Sequence, residues 1–204
     1  MSFRTENKFL LPINKHFEFK NWLFKNKYSV LFKKRSINSV YFDTKNFMIF
    51  KDSIEGTTPR KKIRIRTYSN KFLDNNDEFN FEIKISSIEG RYKKNEKIKK
   101  KINKLLNGIY DYQYGSCFPV LNVIYEREYF IKNQSRITID TNIKYFDIKR
   151  KVISNHGQRE SCFVVENKTK NLANNEMLDF FPFEAKRFSK YCNGIEKIYK
   201  LSNF

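Results

Sequence analysis

The sequence has 204 residues, 40% of them hydrophobic and 17% aromatic, with 41 Lys and Arg against 22 Asp and Glu and a formal net charge of +19. This content excludes disorder as the default despite 31% charged residues, and the length suits one domain, residues 1–204, around a single core. No apolar run approaches the roughly 20 residues that span a bilayer, and the opening MSFRTENKFL lacks the apolar core of a signal peptide. The expectation is a cytoplasmic protein.

Cys117, Cys162 and Cys192 are isolated and odd in number, so neither a disulfide framework nor a zinc site is indicated. The excess of positive charge fits a solvated lysine-rich surface, or a partner that is a nucleic acid, an anionic membrane or a polyanionic small substrate. The placement of the arginines decides more than the total.

Residues 4–11, with Arg4, Glu6 and Lys8 sharing one parity, predict a first strand. Asn14 is the expected N-cap of a helix reaching Lys27, with Phe17, Phe19, Trp22, Leu23 and Phe24 as its apolar stripe. A strand over 36–43 and a short amphipathic helix over 45–53 follow, the latter stopped by Gly56. Arg60 to Lys84 then holds two alternating segments joined by a polar, turn-prone connection, which predicts an antiparallel hairpin. Such a hairpin sets Arg64, Arg66, Glu82 and Lys84 side by side on one face.

Residues 91–97 suit another strand, and Lys93 to Lys104, with Ile98, Ile102, Leu105 and Leu106 at helical spacing, suits a helix ended by Asn107-Gly108. Tyr110 to Pro119 reads as a tyrosine-rich loop. Strands are expected over 120–129, 135–145 and 161–170, with a turn at 155–157, and a closing helix over 188–201. Many short strands and few helices predict a β-dominated α+β fold.

Charged residues recur on one parity in several strands, at Arg136, Thr138 and Asp140, at Glu166 and Lys168, and at Tyr125 with Arg127. Any one of these describes an ordinary sheet with one wet face. Their repetition gathers cations that repel unless a polyanion binds. The planar guanidinium of arginine binds phosphate oxygens bidentately, so Arg64, Arg66, Arg127 and Arg136 are candidate phosphate ligands. Glu6, Glu82, Asp140 and Glu166 are candidate oxygen donors to Mg²⁺ or Mn²⁺. His16 and His156 read as surface residues. There is no glycine-rich phosphate loop and no legible nucleophile-histidine arrangement.

The series RTENKFLL, SVYFDT, RKKIRIRTY, FEIK, YEREYF, RITID, VVENK and RFSKY resembles the VTC-type polyphosphate polymerase domain, within the triphosphate tunnel (CYTH-like) metalloenzymes. The motifs run in family order over nearly the whole chain. The resemblance implies a closed eight-stranded antiparallel β-barrel with flanking helices, whose polar tunnel binds triphosphate. It implies transfer of the terminal phosphate of ATP onto inorganic polyphosphate with Mn²⁺ or Mg²⁺. It assigns Arg64, Arg66, Lys84 and Arg136 to catalysis. Lys8, Tyr125, Arg127, Arg187 and Lys190 fall to substrate binding, and Glu166, Glu6 and Glu82 to the metal. Arg4 stands where hydrolytic tunnel enzymes carry a glutamate, which favours the polymerase branch. ATP and polyphosphate are the implied partners, with a membrane protein, and hence the inner face of a membrane, as a further association and no specific nucleic acid. A tunnel triphosphatase and a non-catalytic polyanion-binding module are the rival readings.

Overall fold

A computed structural model describes residues 5–68, 78–98, 102–149, 152–169 and 185–201. In chain order these form β1 (Thr5–Pro12), a 3₁₀ turn (Ile13–Lys15), α1 (His16–Lys25), β2 (Ser29–Asp43), α2 (Met48–Glu55), β3 (Arg60–Thr67) and β4 (Phe79–Ser86). They continue through β5 (Arg91–Ile98), a single turn α3 (Ile102–Leu105), β6 (Ile109–Asp111), β7 (Gly115–Lys132), β8 (Ser135–Lys149), β9 (Val152–Arg159), β10 (Cys162–Thr169) and α4 (Lys190–Tyr199). The protein is a β-dominated α+β chain with a large antiparallel sheet. It divides into two compact units, one of Met1–Ser36, Tyr125–Ile143 and Arg159–Phe188, the other of Ile37–Ile124, Lys144–Gln158 and Ser189–Phe204.

In the first unit β1 pairs with β10, and β10 with β8, each antiparallel. The face opposite the charged residues is apolar: Phe9, Leu11, Ile137, Ile139, Phe163 and Val165 pack with Phe19 and Leu23 of α1 in one cluster. Phe19 and Leu23 lie four residues apart, so one side of α1 covers the sheet. The expected Asn14 cap does not form. Pro12 keeps β1 extended to its end, the chain tightens at once into the 3₁₀ turn, and α1 starts at His16 with no side-chain cap. His16 is not a plain surface residue, since its ring meets Phe163 edge-on at 5.2 Å.

In the second unit the order β2-β3-β4-β5 is antiparallel throughout. Helix α2 starts three residues later than expected because Asp43 captures its first turn. Asp43 Oδ1 accepts from Ile49 N at 2.9 Å and Oδ2 from Phe50 N at 3.1 Å, while Thr44 Oγ1 accepts from Met48 N at 3.0 Å. Gly56, at φ 83°, ends it in the left-handed conformation that glycine adopts without strain. Helix α4 buries Tyr191, Cys192, Gly194 and Ile195. It comes close enough that a Cβ on Gly194 would lie 2.6 Å from Leu121 Cδ2 and 2.7 Å from Tyr145 Cδ1.

Three local expectations give way to long-range pairing. Residues 93–98 belong to β5, matched residue for residue with β4, and the helix is confined to Ile102–Leu105. The tyrosine-rich segment is a hairpin of β6 on β7, closed where Asp111 Oδ1 accepts from Gln113 N at 2.9 Å. Residues 155–157 lie inside β9, where Gly157 makes room for the Phe146 ring, 2.5 Å from a Cβ built there. The connection at 69–77, the position of Arg4 and the end of the strand at Lys170 lie outside the described residues.

The closed eight-stranded barrel is not formed. Among the described residues the pairings follow an open path that ends at β1 and β5. The outer side of β1 is already taken, with Phe9 bridged to Ala185 and Lys186 N donating to Lys8 O at 2.9 Å. Strand β5 carries exposed Arg91, Lys93, Lys94 and Lys97, the composition of a strand that resists a further partner. Among the described residues no helix is long and apolar enough to cross a membrane.

Candidate functional site

The hairpin β3–β4 places Arg64 opposite Glu82, Lys62 opposite Lys84 and Arg66 opposite Asn80. Part of the charged face is withdrawn from solvent. Arg64, Arg66 and Glu82 are 9%, 8% and 2% exposed, against the usual exposure of such residues. Glu82 makes that burial tolerable. Its Oε2 accepts from Arg64 Nε at 2.7 Å and from Arg64 Nη2, its Oε1 accepts from Lys93 Nζ at 2.9 Å, and Arg66 Nη1 lies 3.7 Å from Oε1. Burial alone would raise the Glu82 carboxyl, but Arg64 and Arg66 outweigh it and bring the group down to about 2. One ionised carboxylate thus balances three cations and leaves a net positive cluster.

Tyr41 stands opposite Arg64 on β2, and its Oη accepts from Arg64 Nη1 at 2.9 Å. The guanidinium also lies over the Tyr41 ring, 5.7 Å from its centre. Tyr191 stacks on that ring at 5.2 Å and 29° and donates its hydroxyl to Asp43 Oδ2. Lys62 Nζ donates to Ser189 Oγ at 2.7 Å. Of the remaining candidates here, Lys84 is exposed and Lys190 half-buried at the start of α4.

The first unit holds a second cluster, built by register. Glu6 faces Lys168, Lys8 faces Glu166, Glu166 faces Thr138 and Lys168 faces Arg136. Lys168 Nζ lies 2.6 Å from Glu166 Oε1 and 3.6 Å from Glu6 Oε2, bridging the two carboxylates, and Lys8 Nζ lies 3.4 Å from Glu6 Oε1. Arg127 grips Asp140 bidentately at 2.5 and 2.6 Å and reaches Glu166 Oε2 at 3.8 Å. Its guanidinium lies 5.3 Å from the centre of the buried Tyr125 ring. Burial would raise the Glu166 carboxyl, but Arg127, Lys168 and Lys8 hold it well below the ordinary carboxylate range. Lys8 also donates to Phe188 O at 3.1 Å. Arg136 and Arg187 are exposed. The buried Thr138 Oγ1 lacks a hydrogen-bond partner among the described residues.

The two clusters suit anions for the same physical reason. An arginine carries five N–H donors in a planar fork that matches phosphate as well as carboxylate, and burial strengthens each charge-assisted bond. Among the described residues no three Asp, Glu, His or Cys side chains converge on a point. Glu6 and Glu166, ionisable oxygen donors joined through one ammonium, nonetheless suit a hard divalent ion, which commonly takes one or two carboxylates and completes its shell with substrate phosphates. Glu82 is enclosed by its cations.

The positions of Arg64, Arg66, Glu82, Arg127 and Glu166 follow from strand parity. Tyr41, Asp43 and Lys93 were not legible as members of the site. Tyr41 and Asp43 share a parity in SVYFD, which placed them on one face, but nothing local marks that face as the one that meets Arg64.

The VTC domain family model matches residues 3–114 and 87–199. No curated protein matches the chain. Solved structures resemble it at low identity. A candidate adenylate cyclase from Bacillus halodurans is 16% identical with a TM-score of 0.62, covering 98% of this chain and 100% of its own. A candidate adenylyl cyclase from Hippeastrum, described as having a dominant triphosphatase activity, is 13% identical with a TM-score of 0.55, covering 96% of each chain. The Schizosaccharomyces pombe Mediator head module contains a chain that is 11% identical with a TM-score of 0.54, covering 97% of this chain and 92% of its own.

Proposed function

The chain belongs to the VTC domain family, and on that footing we propose that it is a phosphoryl-transfer enzyme that moves the terminal phosphate of ATP onto inorganic polyphosphate. The observation that carries this reading is the buried cluster around Glu82, where two arginines and a lysine surround one carboxylate with positive charge in excess. A solvated lysine-rich surface has no reason to bury its arginines. A polyanion does supply one.

Phosphoryl transfer needs position and charge neutralisation more than an acid or a base. The terminal oxygen of the acceptor chain attacks the γ-phosphorus in line, a P–O bond forms to it, the bond to the β-bridging oxygen breaks, and ADP leaves. Arg64 and Arg66 are held rigid by Glu82 and stabilise charge on the transferring group. Within the unit of Glu82, Lys84 and Lys190 are the further phosphate contacts of this proposal; within the other unit they are Arg136, Lys8, Arg127 and Arg187, with Tyr125 under the Arg127 guanidinium. Glu166 and Glu6 would hold Mg²⁺ or Mn²⁺, which would neutralise phosphate oxygens when bound. Residence in the cytoplasm, beside a membrane partner, belongs to this proposal.

A second reading is a triphosphatase, in which water replaces the acceptor chain. The triphosphatase activity of the Hippeastrum neighbour favours it. A non-catalytic polyanion-binding module is the third reading. Purified protein incubated with ATP and Mn²⁺, with and without a short polyphosphate primer, separates the three when products are sized on a gel. A metal-dependent ladder supports the polymerase. Free phosphate without a ladder assigns the triphosphatase, and intact ATP with retained polyphosphate binding assigns the module.

A further inference from the structure

We propose that Tyr41 is a positioning residue for Arg64, held in place from behind by Tyr191 and Asp43. The inference rests on the reading that Arg64 binds phosphate.

The arrangement is a chain of directed contacts within one unit. Asp43, with no exposed surface, is fixed by the backbone N–H groups of Thr44, Ile49 and Phe50 at 2.7, 2.9 and 3.1 Å. It accepts from Tyr191, whose ring stacks on Tyr41. Tyr41 in turn accepts from Arg64 Nη1 at 2.9 Å. Glu82 takes Nε and Nη2 on the other side. The guanidinium is therefore clamped between a carboxylate and a phenol, so its plane is set by two strands and cannot rotate about the Glu82 contact alone. A planar fork that must meet phosphate oxygens bidentately gains from fixed orientation.

The choice of a phenol as the second clamp is informative. A second carboxylate would cancel the positive charge that phosphate needs, while a phenol accepts the bond and stays neutral. Its neutrality is conditional. Burial would raise the Tyr41 phenol, but Arg64 and Arg66 from β3, with Lys190 from α4, outweigh that and bring it below its ordinary value. Glu82 on β4 acts against those cations through Arg64, and Asp43 is linked to Tyr41 through Tyr191, which burial and Asp43 keep protonated. A polyanion placed on Arg64 and Arg66 adds negative charge beside the phenol and raises it again. Binding should then draw a proton onto Tyr41 at alkaline pH.

The test is isothermal calorimetry with inorganic tripolyphosphate on the full chain, as wild type, Tyr41→Phe, Arg64→Gln and the double variant. Titrations are run about one unit below the ordinary tyrosine value of about 10, in two buffers of different ionisation enthalpy. Phenylalanine keeps the stack on Tyr191 and removes the hydroxyl alone. Loss of one bond to a charged group predicts about tenfold weaker binding for Tyr41→Phe. In the Arg64→Gln background the same change should have no further effect, because Tyr41 acts through Arg64. Wild type should take up more proton per ligand than Tyr41→Phe. Additive losses in the double variant, or equal affinity and equal proton uptake for wild type and Tyr41→Phe, overturn the inference while the phosphate site stands. Failure of the wild type to bind tripolyphosphate overturns the site itself and this inference with it. If Tyr41→Phe unfolds, Tyr191→Phe, which frees the Tyr41 ring from Asp43 alone, should show a smaller loss that again vanishes with Arg64→Gln. A loss that persists there overturns the inference.

Discussion

Arg64 and Glu82 face each other across the β3–β4 ladder, and two nitrogens of the arginine converge on a single oxygen of the glutamate. The other oxygen serves Lys93. A carboxylate used in this way is a stabilising element only while it is ionised.

The sign of its pH dependence follows. The folded-state carboxyl of Glu82 is depressed to about 2, so its stabilisation is fully present above the unfolded value of about 4.3 and is lost as pH falls from there through about 2. Glu166 is depressed by its own cations and adds to the same trend. Urea unfolding of the wild type should weaken steadily below about pH 4.3. Glu82→Gln should be less stable at neutral pH and show a shallower acid slope. Parallel slopes for the two proteins would count against the assignment.

Asp140 and Glu6 provide a matched contrast. Asp140 has no exposed surface and takes Arg127 bidentately, so Asp140→Ala leaves a largely buried guanidinium without its main counter-charge and should cost about 3 kcal/mol. Glu6 is partly exposed beside Lys8 and Lys168, and Glu6→Ala should cost at most about 1 kcal/mol. Guanidinium titrations compare them directly. Equal losses would mean that burial does not set the value of these pairs.

Function and stability should separate at Arg136. Its side chain is exposed, so Arg136→Ala should change unfolding stability by no more than about 0.5 kcal/mol. If it meets phosphate, the same variant should raise the KM for ATP about tenfold through loss of a charge-assisted bond. Steady-state kinetics beside a thermal melt decides, and an unchanged KM removes Arg136 from the substrate contacts. Arg64→Ala offers no such separation, since it strands part of the Glu82 charge.

Gly194 is a packing position inside a helix. Alanine there gains helix propensity of about 1 kcal/mol, yet its Cβ would press into Leu121 and Tyr145 at 2.6 and 2.7 Å, a strain of about 1–3 kcal/mol. The net expectation for Gly194→Ala is a lower melting temperature. A rise would show that α4 can shift without loss.

Strand parity made the charged face of β3 and β4 legible, because Ile63, Ile65, Phe79, Phe81 and Ile83 alternate cleanly with it. Parity separates the two faces but does not say how deeply the charged one is buried, because burial depends on what covers a strand, which no residue in the strand encodes. Residues 93–97 carried two overlapping expectations, and the strand over 91–97 holds while the helix from Lys93 does not. Lys93, Glu96 and Lys97 carry no apolar alternation, so the helical spacing of Ile98, Ile102 and Leu105 competed with the strand until pairing with β4 decided it. Gly157 looked like a turn because its neighbours are polar, while the reason for a glycine there is the Phe146 ring, eleven positions away. The contribution of Tyr41 lay beyond reach for a related reason. Its partner Arg64 is 23 residues distant, and only the register of β2 on β3 brings them together.

That register has a consequence for how the chain finds its pairing. The apolar side of β4, with Phe79, Phe81, Ile83 and Ile85, repeats every two residues, so a slip of two places would keep the greasy face inward and pass unnoticed by hydrophobic selection. Such a slip sets Arg64 against Lys84 in one direction and against Asn80 in the other, and either way the buried guanidinium loses the carboxylate directly across from it. The asymmetric order Asn80, Glu82, Lys84 therefore acts as a key with one working alignment, rejecting misregistered hairpins before the fold commits to them.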